Sequence, residues 1–154
     1  MARNIKKLLR RMRFYPPFLG AGIRVRRISE DFCTIDVEMP LRFWNRNYVG
    51  THFGGSLYSM CDPFFMVMLI ENLGPDYIVW DKAATIRFKK PGKGVMKATF
   101  MLSPERVEEI RRQADSQEKV EPTFHVVVTD AEGKVVAEVD KLLYVKKKVS
   151  DPGK

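Results

Sequence analysis

The chain has 154 residues, 45% hydrophobic and 30% charged, enough for one domain that buries roughly 70% of its unfolded surface without disulfide or metal staples. Nothing in the composition points to disorder or a fibrous repeat. The net charge of +8 sits at the ends: residues 1–13 carry six cations and no acid, residues 146–154 four lysines and one acid, and 17 basic and 18 acidic residues lie between. Basic ends on a nearly neutral body, with no groove-reading motif, argue against a nucleic-acid-binding fold.

Ile5, Leu8, Leu9 and Met12 follow the spacing of one helical face, and Pro16-Pro17 closes it. This predicts a leading basic amphipathic helix over 1–15, docked on the domain, with a membrane-surface contact through residues 1–13 as the second reading. Ile23 and Val25, then Cys33, Ile35, Val37 and Met39, alternate with polar residues and predict two strands joined around Ser29-Glu30-Asp31. A loop runs from Pro40 to His52. Phe53 to Ile70 then holds one charged residue, Asp62, and reads as one long buried helix, because an acid and Pro63 count against a membrane span.

Beyond Gly74-Pro75, a strand at Ala84–Phe88 and another at Val95–Leu102 flank a turn at Pro91-Gly92. Ser103-Pro104-Glu105 is a helix start, and two more strands, Thr123–Thr129 and Val135–Val145, turn at Ala131-Glu132-Gly133. An apolar helix must be enclosed, so the elements predict an α+β domain over 1–149: an antiparallel sheet wrapped around one long central helix, with 150–154 as a flexible tail. A ferredoxin-like sandwich is the competing arrangement.

Asp62 is the first candidate for chemistry, because an unpaired carboxylate in apolar surroundings is costly and acids so placed are often functional. The bland alternative is a carboxylate that only satisfies groups in the core. Cys33 and Cys61 sit in apolar runs and read as reduced thiols, which suits a cytoplasmic compartment. Two scattered histidines and two apolar cysteines make no metal set, and His125, in mid-strand, reads as packing or solvent-facing.

The run Asn47-Tyr48-Val49-Gly50-Thr51-His52-Phe53-Gly54-Gly55, followed by Asp62, resembles the hot-dog acyl-CoA thioesterases of the PaaI-like type, most closely a tetrameric branch of uncharacterised function. Asp81 to Ala98 is similar to the family's third and fourth strands. The resemblance implies a hot-dog fold and hydrolysis of an acyl-CoA at an oligomer interface, with no cofactor beyond the CoA of the substrate. It implies that Gly54 N–H polarises the thioester carbonyl, that Asp62 is nucleophile or general base, and that Asn47 orients substrate or water. His52, Phe53, Gly55 and Tyr58 are expected to contact substrate, and Lys89, Lys90 and Lys93 to meet the CoA phosphates. Two positions depart from the family: Phe53 stands where it has histidine, and Pro63 follows the acid. The partners expected are an acyl-CoA and one or three further copies of the chain. The alternative function is a non-catalytic acyl-CoA or fatty-acyl binding protein on the same fold.

Overall fold

The structure, a computed structural model, describes residues 5–149. In chain order it contains α1 (Ile5–Arg13), α2 (Pro16–Ala21), β1 (Arg24–Ile28), β2 (Thr34–Pro40), α3 (Gly54–Ser59) and α4 (Phe64–Leu73). There follow β3 (Tyr77–Phe88), β4 (Val95–Met101), α5 (Pro104–Ser116), β5 (Thr123–Thr129) and β6 (Val135–Lys147). The six strands form one antiparallel sheet in the order β1-β2-β4-β5-β6-β3.

Alternation fixes which side of the sheet is dry. Ile35, Val37 and Met39 of β2, Met96, Ala98 and Phe100 of β4, and Val139, Leu143 and Val145 of β6 are all buried, each at the period of two that one strand face requires. They close on Leu57 of α3 and on Phe64, Phe65, Met68 and Leu69 of α4, which are equally buried. Phe64 packs on Phe100 at 4.8 Å between ring centroids, and Phe65 stacks on Phe124 at 4.7 Å. A sheet curled over a helical rod is the hot-dog arrangement, and six strands in this order exclude the ferredoxin-like alternative. The rod is not enclosed as the sequence predicts: α4 buries Phe64, Phe65, Met68, Leu69 and Leu73 on the sheet, while Met66 and Val67 are half-buried and Ile70 is exposed.

Three local features differ from the sequence expectation. The rod is divided: α3 ends at Ser59, and α4 begins only at Phe64. Pro63 has no N–H for the Ser59 carbonyl and its ring crowds the preceding turn, so the chain turns through Met60–Pro63 and restarts. Pro16-Pro17 opens a second helix, α2, besides closing the first, as suits proline at the first helical positions. The strand expected from Ala84 begins at Tyr77, and a bulge between Asp81 and Ala83 shifts its phase, which breaks the alternation that marks a strand in sequence.

Leu8 packs against the core and Met12 is buried, so α1 is docked through these two side chains. The side chains of Ile5, Lys6, Leu9 and Arg10, residues 1–4 and the tail 150–154 lie outside the described residues. Among the described residues no helix is long and apolar enough to cross a membrane. β3 forms one edge of the sheet and exposes part of Ile78, Trp80 and Phe88.

Candidate active site

The break in the rod places Asp62 against the sheet. Along β6, Ala137, Val139, Lys141, Leu143 and Val145 all point inward, so Lys141 occupies a core position and its side chain is fully buried. Its ammonium lies 3.2 Å from Asp62 Oδ1, 3.1 Å from Asp81 Oδ1 and 3.1 Å from the Tyr58 hydroxyl. Tyr58 donates its own O–H to Asp62 Oδ1 at 2.8 Å, as a residue one turn earlier in the chain can. A cation therefore bridges two carboxylates, one from the turn after α3 and one from β3, and a phenol closes the ring of contacts.

The sequence expectation of a carboxylate enclosed in apolar surroundings is corrected here: half of the Asp62 side chain is exposed. One oxygen, Oδ1, takes both hydrogen bonds; among the described residues Oδ2 has no hydrogen-bond partner. Among the described residues no main-chain amide donates to this carboxylate, so the group is anchored at one oxygen and open at the other.

Burial of Lys141 works against its charge, yet the contacts with Tyr58, Asp81 and Asp62 outweigh it and hold the ammonium above the usual lysine range. Asp81 is raised, because burial outweighs the attraction of Lys141 and the negative Asp62 adds to the rise. Tyr58 is raised as well, chiefly by burial. The adjacent Cys61 thiol is pushed up to about 12, first by burial, so it stays protonated and is no nucleophile at neutral pH.

At the other end of α3, the N–H groups of Gly54 and Gly55 precede the helix's first internal bond, which Ser56 N–H donates to Phe53 O. A side chain on Gly54 would meet the Phe88 ring at 3.0 Å, and one on Gly55 would meet the Phe53 ring at 2.5 Å. Two half-exposed aromatic rings thus flank the glycine pair.

The remaining candidates are placed elsewhere. His52 is buried: its Nε2 lies 2.9 Å from Gly94 O, and among the described residues its Nδ1 has no hydrogen-bond partner. It holds the loop to the turn before β4 and does not face solvent as a substrate contact must. Burial, partly offset by the Gly94 carbonyl, keeps its pKa below the usual histidine value. Asn47 spends its side chain on its own loop, accepting from Val49 N–H and Thr51 N–H and donating to Thr51 Oγ1 and His52 O. Lys89 pairs with Glu138 at 3.2 Å and Lys90 with Asp130, while Lys93 is exposed. His125 points outward and meets Asp140 at 2.7 Å. Among the described residues no cluster of histidine, cysteine and acidic side chains could hold a metal ion.

Of the residues named from sequence, the structure brings together Asp62 and Tyr58 at one end of α3, and Gly54, Gly55 and Phe53 at the other. Lys141 and Asp81 were not named. Lys141 had a signal, a lysine at an inward position of an alternating strand; Asp81 had none, because the bulge beside it hides the strand's phase.

The fold is shared with solved structures. A protein of unknown function from Pseudomonas aeruginosa, described as a probable thioesterase, superimposes with a TM-score of 0.84 at 22% identity, covering 96% of this chain and 99% of that one. A protein of unknown function from Chlorobaculum tepidum gives 0.74 at 16% identity over 93% and 94%. A thioesterase from Haemophilus influenzae gives 0.69 at 13% identity over 100% and 97%. No curated protein matches the chain. At these identities the likeness establishes the hot-dog fold, in agreement with the resemblance carried by residues 47–62. The sequence itself matches one family over residues 4–145, and the chain therefore belongs to DUF4442, a domain of unknown function.

Proposed function

We propose that the protein hydrolyses an acyl-CoA thioester to the free acid and CoA, at a site completed by a second copy of the chain. The observation that carries this reading is the Asp62 carboxylate, fixed at Oδ1 by Tyr58 and Lys141 with Oδ2 open. A carboxylate so held is aimed, and it can take a proton from water. In the reaction, Asp62 accepts that proton as the water oxygen bonds to the thioester carbon, and the carbonyl electrons move onto oxygen beside the N–H donors of Gly54 and Gly55. The C–S bond then breaks, and the proton passes from Asp62 to the departing CoA sulfur. With six residues in α3, the donors themselves rather than a long macrodipole supply the polarisation. The thioesterase names of the Pseudomonas and Haemophilus structures support the reaction class.

Gly54 and Gly55 open α3, while Asp62 lies in the turn beyond its C-terminal end. In the shared site that we propose, the N–H donors of one copy serve the acid of another. The free edge of β3, twelve residues long with Trp80 stacked on Tyr144 at 4.1 Å, suits pairing with a second β3.

Thiol release from short, aromatic and long acyl-CoAs, run beside size-exclusion chromatography, tests the proposal. Turnover of at least one acyl class by a dimer or tetramer is the expected result. Saturable binding of acyl-CoA with no release of thiol would replace the enzyme by the binding protein, a reading favoured by Phe53 at the family's histidine position.

A further inference from the structure

Between residues 1 and 23, and again between 39 and 61, the sequence contains no acid, while the first stretch holds six cations and the second Arg42 and Arg46; the arginines of β1 lie outside this region, Arg26 and Arg27 being paired with Glu38 and Asp36 of β2. The same two segments expose an unusual amount of apolar surface. Tyr15 and Leu19 at α2, and Phe43, Trp44, Tyr48 and Val49 in the following loop, are each at least half exposed. Single exposed apolar residues need no explanation, but several in one acid-free region do.

The two segments are fastened to each other. Asn45 is buried; its amide donates to Ala21 O and to Pro40 O at 2.9 Å each, and its oxygen accepts from Arg42 N–H at 2.6 Å. The residue before it, Trp44, packs edge-on against Phe43 at 5.0 Å. The loop tip is set by Asn47, whose oxygen holds Val49 N–H and Thr51 N–H, so Tyr48 and Val49 project outward on a fixed turn. On the other side, α2 buries Phe18 and leaves Leu19 outside, and the exposed Arg13 guanidinium lies 5.9 Å from the Phe14 ring. Hydrogen bonds are spent on holding aromatic side chains in water beside cations.

We infer that this face, the α1–α2 corner together with loop 42–49, is a docking surface for an anionic lipid bilayer. Aromatic rings at the headgroup level and cations in segments that carry no acid of their own are what such a surface rewards. A second copy of the chain is the poorer occupant: a self-complementary interface would set this charge, without a single acid in either segment, against itself. Because α1 docks Leu8 and Met12 on the core, the contact is peripheral, made by the aromatic loop and the cationic outer face. The inference does not depend on the proposed reaction.

Cosedimentation of the full chain with vesicles tests it, using phosphatidylcholine alone and phosphatidylcholine with about one-third phosphatidylglycerol. Binding to the anionic vesicles, weakened severalfold by raising the salt, is expected. Tyr48→Ser/Val49→Ser, at side chains that are exposed and therefore dispensable for folding, should lower that binding about tenfold with an unchanged unfolding midpoint. Failure to bind anionic vesicles overturns the inference, as does equal binding by wild type and variant. A variant that binds equally but elutes as a smaller species would assign the face to a second copy instead.

Discussion

Replacing Lys141 by methionine removes the buried cation that faces Asp62 and Asp81 while keeping the volume of its stem. Breaking a buried ion pair costs about 3–5 kcal/mol when the remaining charge stays unpaired. The cost is reduced here because the Asp62 side chain is half exposed and can be rehydrated; Asp81, only 21% exposed, cannot follow to the same extent. Lys141→Met should therefore lose about 2–4 kcal/mol, a drop in Tm of about 6–12 °C for a chain of this size. Thermal and urea unfolding followed by circular dichroism measure it. Adding Asp81→Asn to Lys141→Met removes the orphaned charge and should recover about half of the loss, a coupling that independent sites do not show. Burial already raises Asp81 in the presence of Lys141. A raised carboxyl favours folding while it is protonated and loses that contribution as the pH rises through its folded value. The deficit of Lys141→Met should thus be largest at neutral pH and narrow as the pH falls toward about 4. A variant with wild-type stability, or strict additivity with Asp81→Asn, would refute the ion cluster as described.

Tyr58→Phe removes the hydroxyl that joins Lys141 to Asp62 and should cost about 1 kcal/mol of stability; if that contact aims the base, kcat falls about tenfold with KM nearly unchanged. Gly54→Ala should fold within about 1 kcal/mol of wild type, since the half-exposed Phe88 ring can yield and alanine favours the helix; hydrolysis should nevertheless fall about a hundredfold, as the new methyl crowds the donors. His52 has a depressed folded pKa, so its contribution to stability is present above about pH 6.5 and lost as the pH falls through the lower folded value. His52→Gln, which keeps a donor for Gly94 O, should flatten that part of the stability profile, measured by urea titration at pH 7.5 and below.

The elements that could be read from sequence were those whose period was unbroken. β2, β4, β5 and β6 alternate cleanly, and Ser103 caps α5 by accepting from Arg106 N–H, so the wrapped sheet and the order of its parts were legible. The first half of β3 was not, because the bulge beside Asp81 reverses the inward phase, and a reversed phase looks like a loop. Asp62 was legible as an isolated charge, but its exposure depends on where Pro63 breaks the rod. Lys141 was legible in principle: Ala137, Val139, Leu143 and Val145 define the buried face of β6, and a lysine in that row must find acids or leave the core. The roles of His52 and Asn47 depend on contacts within one loop and with a turn some forty residues away, which spacing does not reveal.

The proposed chemistry depends on one oxygen of Asp62 being anchored so that the other can act as the base. Turnover of an accepted acyl-CoA by wild type and by Asp62→Asn, with Tm recorded for both, tests this most directly. The amide keeps the shape and can accept from Tyr58 and Lys141, but it cannot take a proton from water. A Tm within a few degrees of wild type and a loss of about 10²–10⁴ in kcat are expected. Undiminished turnover by a folded Asp62→Asn protein would contradict that chemistry.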